Sequence, residues 1–187
     1  MYDTIIISDV HISREDSNVK ELIEFIRNNP SKKLVLNGDI FDQFAWWRDK
    51  GRLYRKEHKK HVKEIKQILK ERKTKIYYLP GNHDWLVLLL IPIGFLFRAK
   101  IRKRIKLKGI LIEHGDWFTF YLKVRKIFDI SIEISKDYHS RCLTFAKLKK
   151  KKIVVGHSHN PEIIEDIVYD VGDWVKNNTY LILENWV

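Results

Sequence analysis

The stretch Ile76-Tyr77-Tyr78-Leu79-Pro80-Gly81-Asn82-His83-Asp84 decides how the rest of the chain is read. Its first four residues are apolar, β-branched or aromatic, and Pro-Gly stops them. That pattern predicts a buried strand ending in a tight turn. The turn carries an amide oxygen, an imidazole and a carboxylate in succession. The same design recurs four times. Ile5-Ile6-Ile7-Ser8 runs into Asp9-Val10-His11, and Leu34-Val35-Leu36-Asn37 into Gly38-Asp39-Ile40-Phe41-Asp42. Ile110-Leu111-Ile112-Glu113 runs into His114-Gly115-Asp116, and Ile153-Val154-Val155 into Gly156-His157-Ser158-His159. In α/β sheets, ligands bind beyond the carboxyl ends of strands. Five strand ends bearing Asp, Asn or His therefore predict one site built from five loops at the edge of a sheet.

The 187 residues suit a single domain over 1–187 with a substantial core. Lys and Arg number 36 against 24 Asp and Glu, for a net charge of +12. This balance fits an anionic partner, whether a phosphorylated substrate, nucleic acid or a membrane surface, and equally a solvated Lys-rich exterior. Cys142 is the single cysteine, which excludes an intrachain disulfide and Cys-based zinc sites. It is expected to fill a small apolar gap on a helix. The opening residues carry no basic stretch or cleavage signal, and the expected location is cytoplasmic.

Between the loops, Val19, Leu22, Ile23 and Ile26 have helical spacing, and Asn28-Asn29-Pro30 ends that helix. A basic helix is expected over 53–72, with Val62, Ile65, Ile68 and Leu69 as its buried stripe and His58 and His61 in solvent. Phe44, Trp46 and Trp47 follow the second loop as core packing or as a wall for a planar group. From Trp85 to Phe97 every residue except Pro92 and Gly94 is large and apolar, and seven cations follow between Arg98 and Lys108. The apolar segment is shorter than the roughly 20 residues of a transmembrane helix. It reads either as an interfacial membrane contact beside a basic run or as a buried segment or dimer contact. Residues 118–152 are mostly helical in pattern and could form a small cap. Closing strands are expected over Glu162–Tyr169 and Thr179–Glu184, with Asp170–Trp174 as a turn.

The loops together present Asp9, His11, Asp39, Asn82, His114, His157 and His159. A mixed oxygen and imidazole set without thiolate suits Mn, Fe, Zn, Co or Ni. Seven ligands exceed the needs of one ion and fit two ions roughly 3.5–4 Å apart, which acidify water and neutralise phosphoryl oxygens. The sequence has no Gly-x-Ser-x-Gly nucleophile elbow, no Gly-x-x-x-x-Gly-Lys loop and no Gly-x-Gly-x-x-Gly fingerprint.

Asp-x-His, Gly-Asp-x-x-Asp, Gly-Asn-His-Asp, His-Gly-Asp and Gly-His-x-His, in this order from residue 9 to 159, resemble the calcineurin-like metallophosphoesterases. The resemblance implies an α/β fold of two packed mixed β-sheets flanked by helices, here with a short helical insertion, and a dinuclear centre at the strand ends. It implies that Asp9, His11 and His159 hold one metal, that Asn82, His114 and His157 hold the other, and that Asp39 bridges them. Mn2+ is the first expectation for the two divalent ions. His83 would stabilise developing charge or protonate the leaving oxygen, and Asp84 would orient it. Asp42 and Asp116 would support their loops. His114-Gly115-Asp116, the aromatic stretch after Asp39 and Gly172-Asp173-Trp174 resemble the UDP-2,3-diacylglucosamine pyrophosphohydrolase branch, which cleaves a phosphoanhydride at the membrane surface. His83 stands where the best-known members of that branch carry Arg, and the insertion is shorter than theirs.

Three functions follow as expectations. The first is hydrolysis of a phosphoanhydride or phosphodiester, on a phosphorylated small molecule or a lipid-linked diphosphate, with a peripheral place on the inner membrane face. The second is a nuclease, nucleotide phosphodiesterase or general phosphatase, less favoured because no nucleic-acid module is recognisable. The third is a metal-containing binding protein that docks through 85–97.

Overall fold

A computed structural model describes residues 1–12, 14–42, 57–84, 98–119 and 134–184. The aromatic cluster at 44–47, the apolar segment 85–97 and the helix expected near 121–128 lie outside these residues. Two five-stranded sheets form the centre. In the first, β1 (Tyr2–Ile7), β2 (Ser31–Asn37), β3 (Lys75–Leu79) and β4 (Lys100–Ile101) run parallel, and β10 (Leu181–Leu183) pairs antiparallel with β1. In the second, β6 (Ile110–Glu113), β7 (Ile153–Val155) and β9 (Val168–Asp170) run parallel, with β5 (Arg104–Leu107) and β8 (Glu162–Ile164) antiparallel at the edges.

Side-chain alternation along the strands sets the layers. Ile5, Ile7, Leu34, Leu36, Ile76 and Tyr78 face the apolar stripes of α1 (Val19–Asn28) and α2 (Glu57–Glu71). The opposite face of that sheet, with Ile6, Val35 and Leu79, packs on Ile110, Ile112, Val154 and Tyr169 of the second sheet. α3 (Ile134–Lys149) covers the far side with Tyr138, Cys142 and Ala146 against Ile153, Val155 and Val168. The order is helix, sheet, sheet, helix, the mixed α/β arrangement expected from the motifs. The described part of the expected cap thus forms a layer of the fold, and Cys142 is fully buried in it.

Four features depart from the sequence reading. The five loops rise from two sheets rather than one, because β1, β2 and β3 lie in the first and β6 and β7 in the second. The basic run 98–108 contains strands β4 and β5, which pass the chain from one sheet to the other. Along β5 exposed Arg104 and Lys106 alternate with half-buried Ile105 and Leu107, a charged edge of the kind that blocks further strand pairing. The stretch expected as one strand over 162–169 is a hairpin. Glu165 and Asp166 take φ of 49° and 53°, and Ile167 N–H donates to the Ile164 carbonyl at 2.9 Å, so two left-handed residues reverse the chain. His61, expected in solvent, is half-buried on α2.

Candidate metal centre

The carboxyl ends of β1, β2, β3, β6 and β7 converge, and backbone hydrogen bonds lock their loops together. Asp9 N–H donates to the Gly38 carbonyl at 3.0 Å and His11 N–H to the Asp39 carbonyl at 2.9 Å. Within the second sheet Gly156 N–H donates to the His114 carbonyl at 3.0 Å, and across the sheets His157 N–H donates to Asp9 Oδ2 at 2.9 Å. Three loop glycines make this approach possible. A Cβ on Gly38 would lie 2.3 Å from His114 Cγ, one on Gly81 2.2 Å from Asp39 Oδ1, and one on Gly156 2.0 Å from Ser8 Oγ. Any side chain there would force the loops apart.

Three clusters of metal-competent atoms result among the described residues: Asp9 with His11 and His159, Asp39 with His114 and His157, and His11 with Asp42 and His83, which shares His11 with the first. In the first, His11 Nε2 is 3.3 Å from His159 Nε2, and Asp9 Oδ1 lies 3.3 Å from His159 Nε2 and 3.9 Å from His11 Nε2. In the second, His114 Nε2 lies 3.3 Å from Asp39 Oδ2. Asn82, between Gly81 and His83, is half-buried on the turn that faces Asp39. Asp9, His11, Asp39, His157 and His159 all adopt left-handed backbone conformations, with φ between 50° and 70°. Five non-glycine residues held this way represent strain that recurs at functional sites.

Each imidazole has an outer partner that leaves a ring nitrogen for the centre. His114 Nδ1–H donates to the Asn37 carbonyl at 2.8 Å, so Nε2 is the nitrogen left for the centre. His157 Nε2 pairs with Thr119 Oγ1 at 2.9 Å, leaving Nδ1. His159 Nδ1 faces Asp173 Oδ2 at 3.2 Å, leaving Nε2 toward Asp9. Asp173 is wholly buried, and its Oδ1 accepts from the N–H groups of Val175, Lys176 and Asn177 at 2.7–3.0 Å. Burial alone would raise its pKa, but those donors and the charge of His159 outweigh it and hold the carboxyl below its usual range. Thr119 carries no motif of its own. Asp173 stands in the Gly172-Asp173-Trp174 motif, but its pairing with His159 depends on β9 running beside β7.

His83 and Asp84 have separate surroundings. Asp84 is fully buried, and its two oxygens accept from Phe41 N–H and Gly81 N–H, each at 3.0 Å. These bonds tie the Asp39 loop to the Asn82 turn. Burial, reinforced by the charge of Asp39, pushes the Asp84 pKa up to about 6. The carboxylate that faces the His83 ring is Asp42, with Oδ1 3.4 Å from His83 Nδ1 and Oδ2 3.3 Å from His11 Nδ1. His83 N–H donates to Asp39 Oδ1 at 2.8 Å. Burial lowers the pKa of His83, but Asp42 and Asp39 outweigh it and the net shift is upward. Asp116, on a helical turn over 116–119, is half-buried.

The electrostatics call for positive charge at the centre. Burial depresses the pKa of His114, yet the Asp39 and Asp9 carboxylates overcome this and raise it well above its ordinary value. The imidazole of His157, buried and beside His114, is pushed down to about 3. Asp9 Oδ1 is buried and makes no hydrogen bond within the chain, and buried His114 Nε2 faces the Asp39 carboxylate at 3.3 Å. Buried polar atoms left in this way are costly unless a ligand satisfies them. Carboxylate oxygens and imidazole nitrogens gathered this closely fit divalent cations, which would replace the protons the carboxylates draw onto the rings, so the residues present suit a metal centre.

The family model for calcineurin-like phosphoesterases matches residues 3–183. The chain belongs to that family. Calcineurin-like phosphoesterases use divalent metals, and this member is a metal-dependent phosphoesterase with metal-competent clusters where the strands end. An archaeal phosphodiesterase shares its fold at 16% identity over 91% of this chain and 83% of that one, with a TM-score of 0.51. The Pseudomonas putida nuclease MPE does so at 10% identity over 98% and 80%, with a TM-score of 0.52. The E. coli phosphoesterase Yfce does so at 19% identity over 97% and 88%, with a TM-score of 0.50. No curated protein sequence is a significant match. Among the described residues no helix is long and apolar enough to cross a membrane.

Proposed function

We propose that this phosphoesterase is a dinuclear enzyme that hydrolyses a phosphodiester or phosphoanhydride bond. The observation that carries the proposal is the pairing of two of these clusters, Asp9–His11–His159 and Asp39–His114–His157, in one largely buried site. Asp9, His11 and His159 would hold one ion, Asn82, His114 and His157 the other, and Asp39 would lie between them. When bound, two divalent cations, Mn2+ in our reading, supply an acidified water and neutralise phosphoryl charge. The chain's own residues do the rest. Asp173, Thr119 and the Asn37 carbonyl fix the ring orientations of His159, His157 and His114. His83, beside Asp42, is placed to donate a proton toward the departing oxygen. Asp84 holds the turn on which His83 stands through the N–H groups of Gly81 and Phe41.

UDP-2,3-diacylglucosamine or another lipid-linked diphosphate is the substrate type favoured by the motif resemblance. The basic edge at 98–108 and the apolar segment before it support a peripheral membrane contact. Loss of vesicle co-sedimentation on replacing Leu89 and Phe97 with polar residues, with folding retained, would support that contact, whereas unfolding of those variants would contradict it. Nucleic acid is the second reading, favoured by the net charge of +12 and by a nuclease among proteins of the same fold; a steep salt dependence of DNA or RNA binding is its signature. Metal-stripped protein reloaded with Mn2+ should hydrolyse bis(p-nitrophenyl) phosphate faster than p-nitrophenyl phosphate and lose this activity in Asn82→Ala. A preference for the monoester would point to a phosphatase; no turnover of either with metal bound would contradict the diesterase and leave a selective pyrophosphohydrolase or a binding role, which turnover of a lipid-linked diphosphate separates.

A further inference from the structure

His139 belongs to none of the metal-competent clusters, yet both of its ring nitrogens are committed. Nε2 lies 3.0 Å from Asp170 Oδ2, and Nδ1 lies 2.9 Å from Glu162 Oε2. A ring that donates to a carboxylate on each side is the doubly protonated imidazolium. Its inner partner, Asp170, has a fully buried side chain. Asp170 Oδ1 accepts the Gly172 N–H at 3.0 Å, and Oδ2 accepts a further proton from the Ser158 hydroxyl at 2.6 Å. Charge-assisted bonds of this length are the strong ones. A continuous chain of hydrogen bonds therefore runs from α3 through His139 and Asp170 to Ser158.

Ser158 stands between two ligands. His157 belongs to one cluster and His159 to another, and both hold left-handed backbones, with φ of 70° and 59°. Such conformations persist where the surroundings fix them. Thr119 and Asp173 orient the two rings. The His157 N–H is tied to Asp9 and the His159 carbonyl to Asn177, which leaves Ser158 as the link between them. Its hydroxyl accepts the Asn160 N–H at 3.0 Å while donating to Asp170, and its own N–H donates to the Gly156 carbonyl at 2.8 Å. Tyr138, next to His139 on α3, donates its hydroxyl to the same carbonyl, also at 2.8 Å. Adjacent residues of one helix thus hold the loop, Tyr138 at its start and His139, through Asp170, at its middle.

We infer that His139 is a positioning residue for the metal centre: acting through Asp170 and Ser158, it fixes the backbone that spaces His157 from His159, and with it the two clusters they serve. The consequence for two ions rests on the dinuclear reading, but the hold on the loop does not.

The test combines amide hydrogen exchange on the metal-free protein with Mn2+ competition titration. His139→Phe keeps a ring and removes both donors. Ser158→Ala breaks the same chain from its other end, and a double variant combines the two. Each single variant should speed exchange of the His157 N–H about tenfold and weaken Mn2+ binding about tenfold. The double variant should stay within about threefold of either single one, because both changes cut one chain. His139→Gln keeps a donor toward Asp170 and should recover most of the affinity. Ala146→Gly loosens the same helix from a buried position outside the chain. It should lower the melting temperature while exchange at His157 and Mn2+ affinity stay within about threefold of the parent. Unchanged exchange and affinity in folded His139→Phe or in Ser158→Ala would overturn the inference. So would losses that multiply in the double variant, or an equal loss in Ala146→Gly. Two ions bound with none of these effects would refute the positioning role alone. One ion bound with all of them would refute the dinuclear reading alone.

Discussion

Replacing Gly81 with alanine would place a methyl group 2.2 Å from Asp39 Oδ1 and 2.7 Å from both the Asp39 N and His114 Cδ2. Ordinary van der Waals contact with a Cβ begins at 3.4 Å, so the turn and the Asp39 carboxylate must separate by about 1 Å, a misplacement that can cost ~100-fold in rate. Gly81 does not have a positive φ, so the effect is steric and confined to the centre. The neighbours are a backbone nitrogen, a carboxylate oxygen and a buried imidazole, none of them the free end of a flexible chain. The expected result is a loss of about two orders of magnitude in Mn-dependent diester turnover, with reduced metal content after dialysis. Gly109→Ala is the matched control. Gly109 has φ of +80° and nothing within 4 Å of its added Cβ, so it should lose about 1–2 kcal/mol of stability from left-handed strain and keep its turnover. Turnover, metal content and thermal melting are measured for both variants. If Gly81→Ala retains full metal and turnover within threefold of the parent, the packing account of the centre is wrong.

Further outcomes follow from the residues around the ligands. Asp173→Asn removes the carboxylate facing His159 and disturbs three backbone bonds, and should weaken metal affinity about 10–100-fold by competition titration; unchanged affinity would dismiss Asp173 as a positioning residue. Thr119→Val keeps the volume and removes the hydroxyl paired with His157, and should lower metal affinity by about tenfold with little change in melting. His139 lies 3.0 Å from Asp170 and 2.9 Å from Glu162. The hydrogen bond to Asp170 outweighs burial and raises its pKa above 6.5. A His whose pKa rises on folding stabilises the fold fully below about 6.5 and loses that contribution as pH climbs through the folded value. Denaturant melts from mildly acidic to alkaline pH should therefore show the parent losing more stability than His139→Gln, and parallel curves would refute the linkage.

The parts of the fold legible in the sequence are those that follow from local pattern. β1, β2, β3, β6 and β7 are apolar runs stopped by glycine or by a polar ligand, and α1 carries its buried stripe at helical spacing. The same runs deliver Asp9, His11, Asp39, His114, His157 and His159 to the site, because a strand's carboxyl end is fixed by where its apolar run stops. What stayed hidden is tertiary. β4 has two residues and β5 alternates with charge, so neither stands out from a basic run. The Glu165–Asp166 turn lacks the Asn-Gly signal that marks two left-handed residues. Asp84 is adjacent to His83 in sequence, yet Asp42 is the carboxylate facing the ring, because neighbours on a turn point apart while separate loops meet. The strained backbone at five ligand positions has no sequence signature, since those residues are chosen for their side chains.

The dinuclear centre itself is most directly tested by anomalous diffraction from crystals of the Mn-loaded protein, with data on both sides of the Mn absorption edge. The account predicts two peaks roughly 3.5–4 Å apart, one within bonding distance of Asp9, His11 and His159, the other of Asn82, His114 and His157, with Asp39 between them. A single peak, or Mn bound at His139, Glu162 and Asp170 with the centre empty, would contradict it.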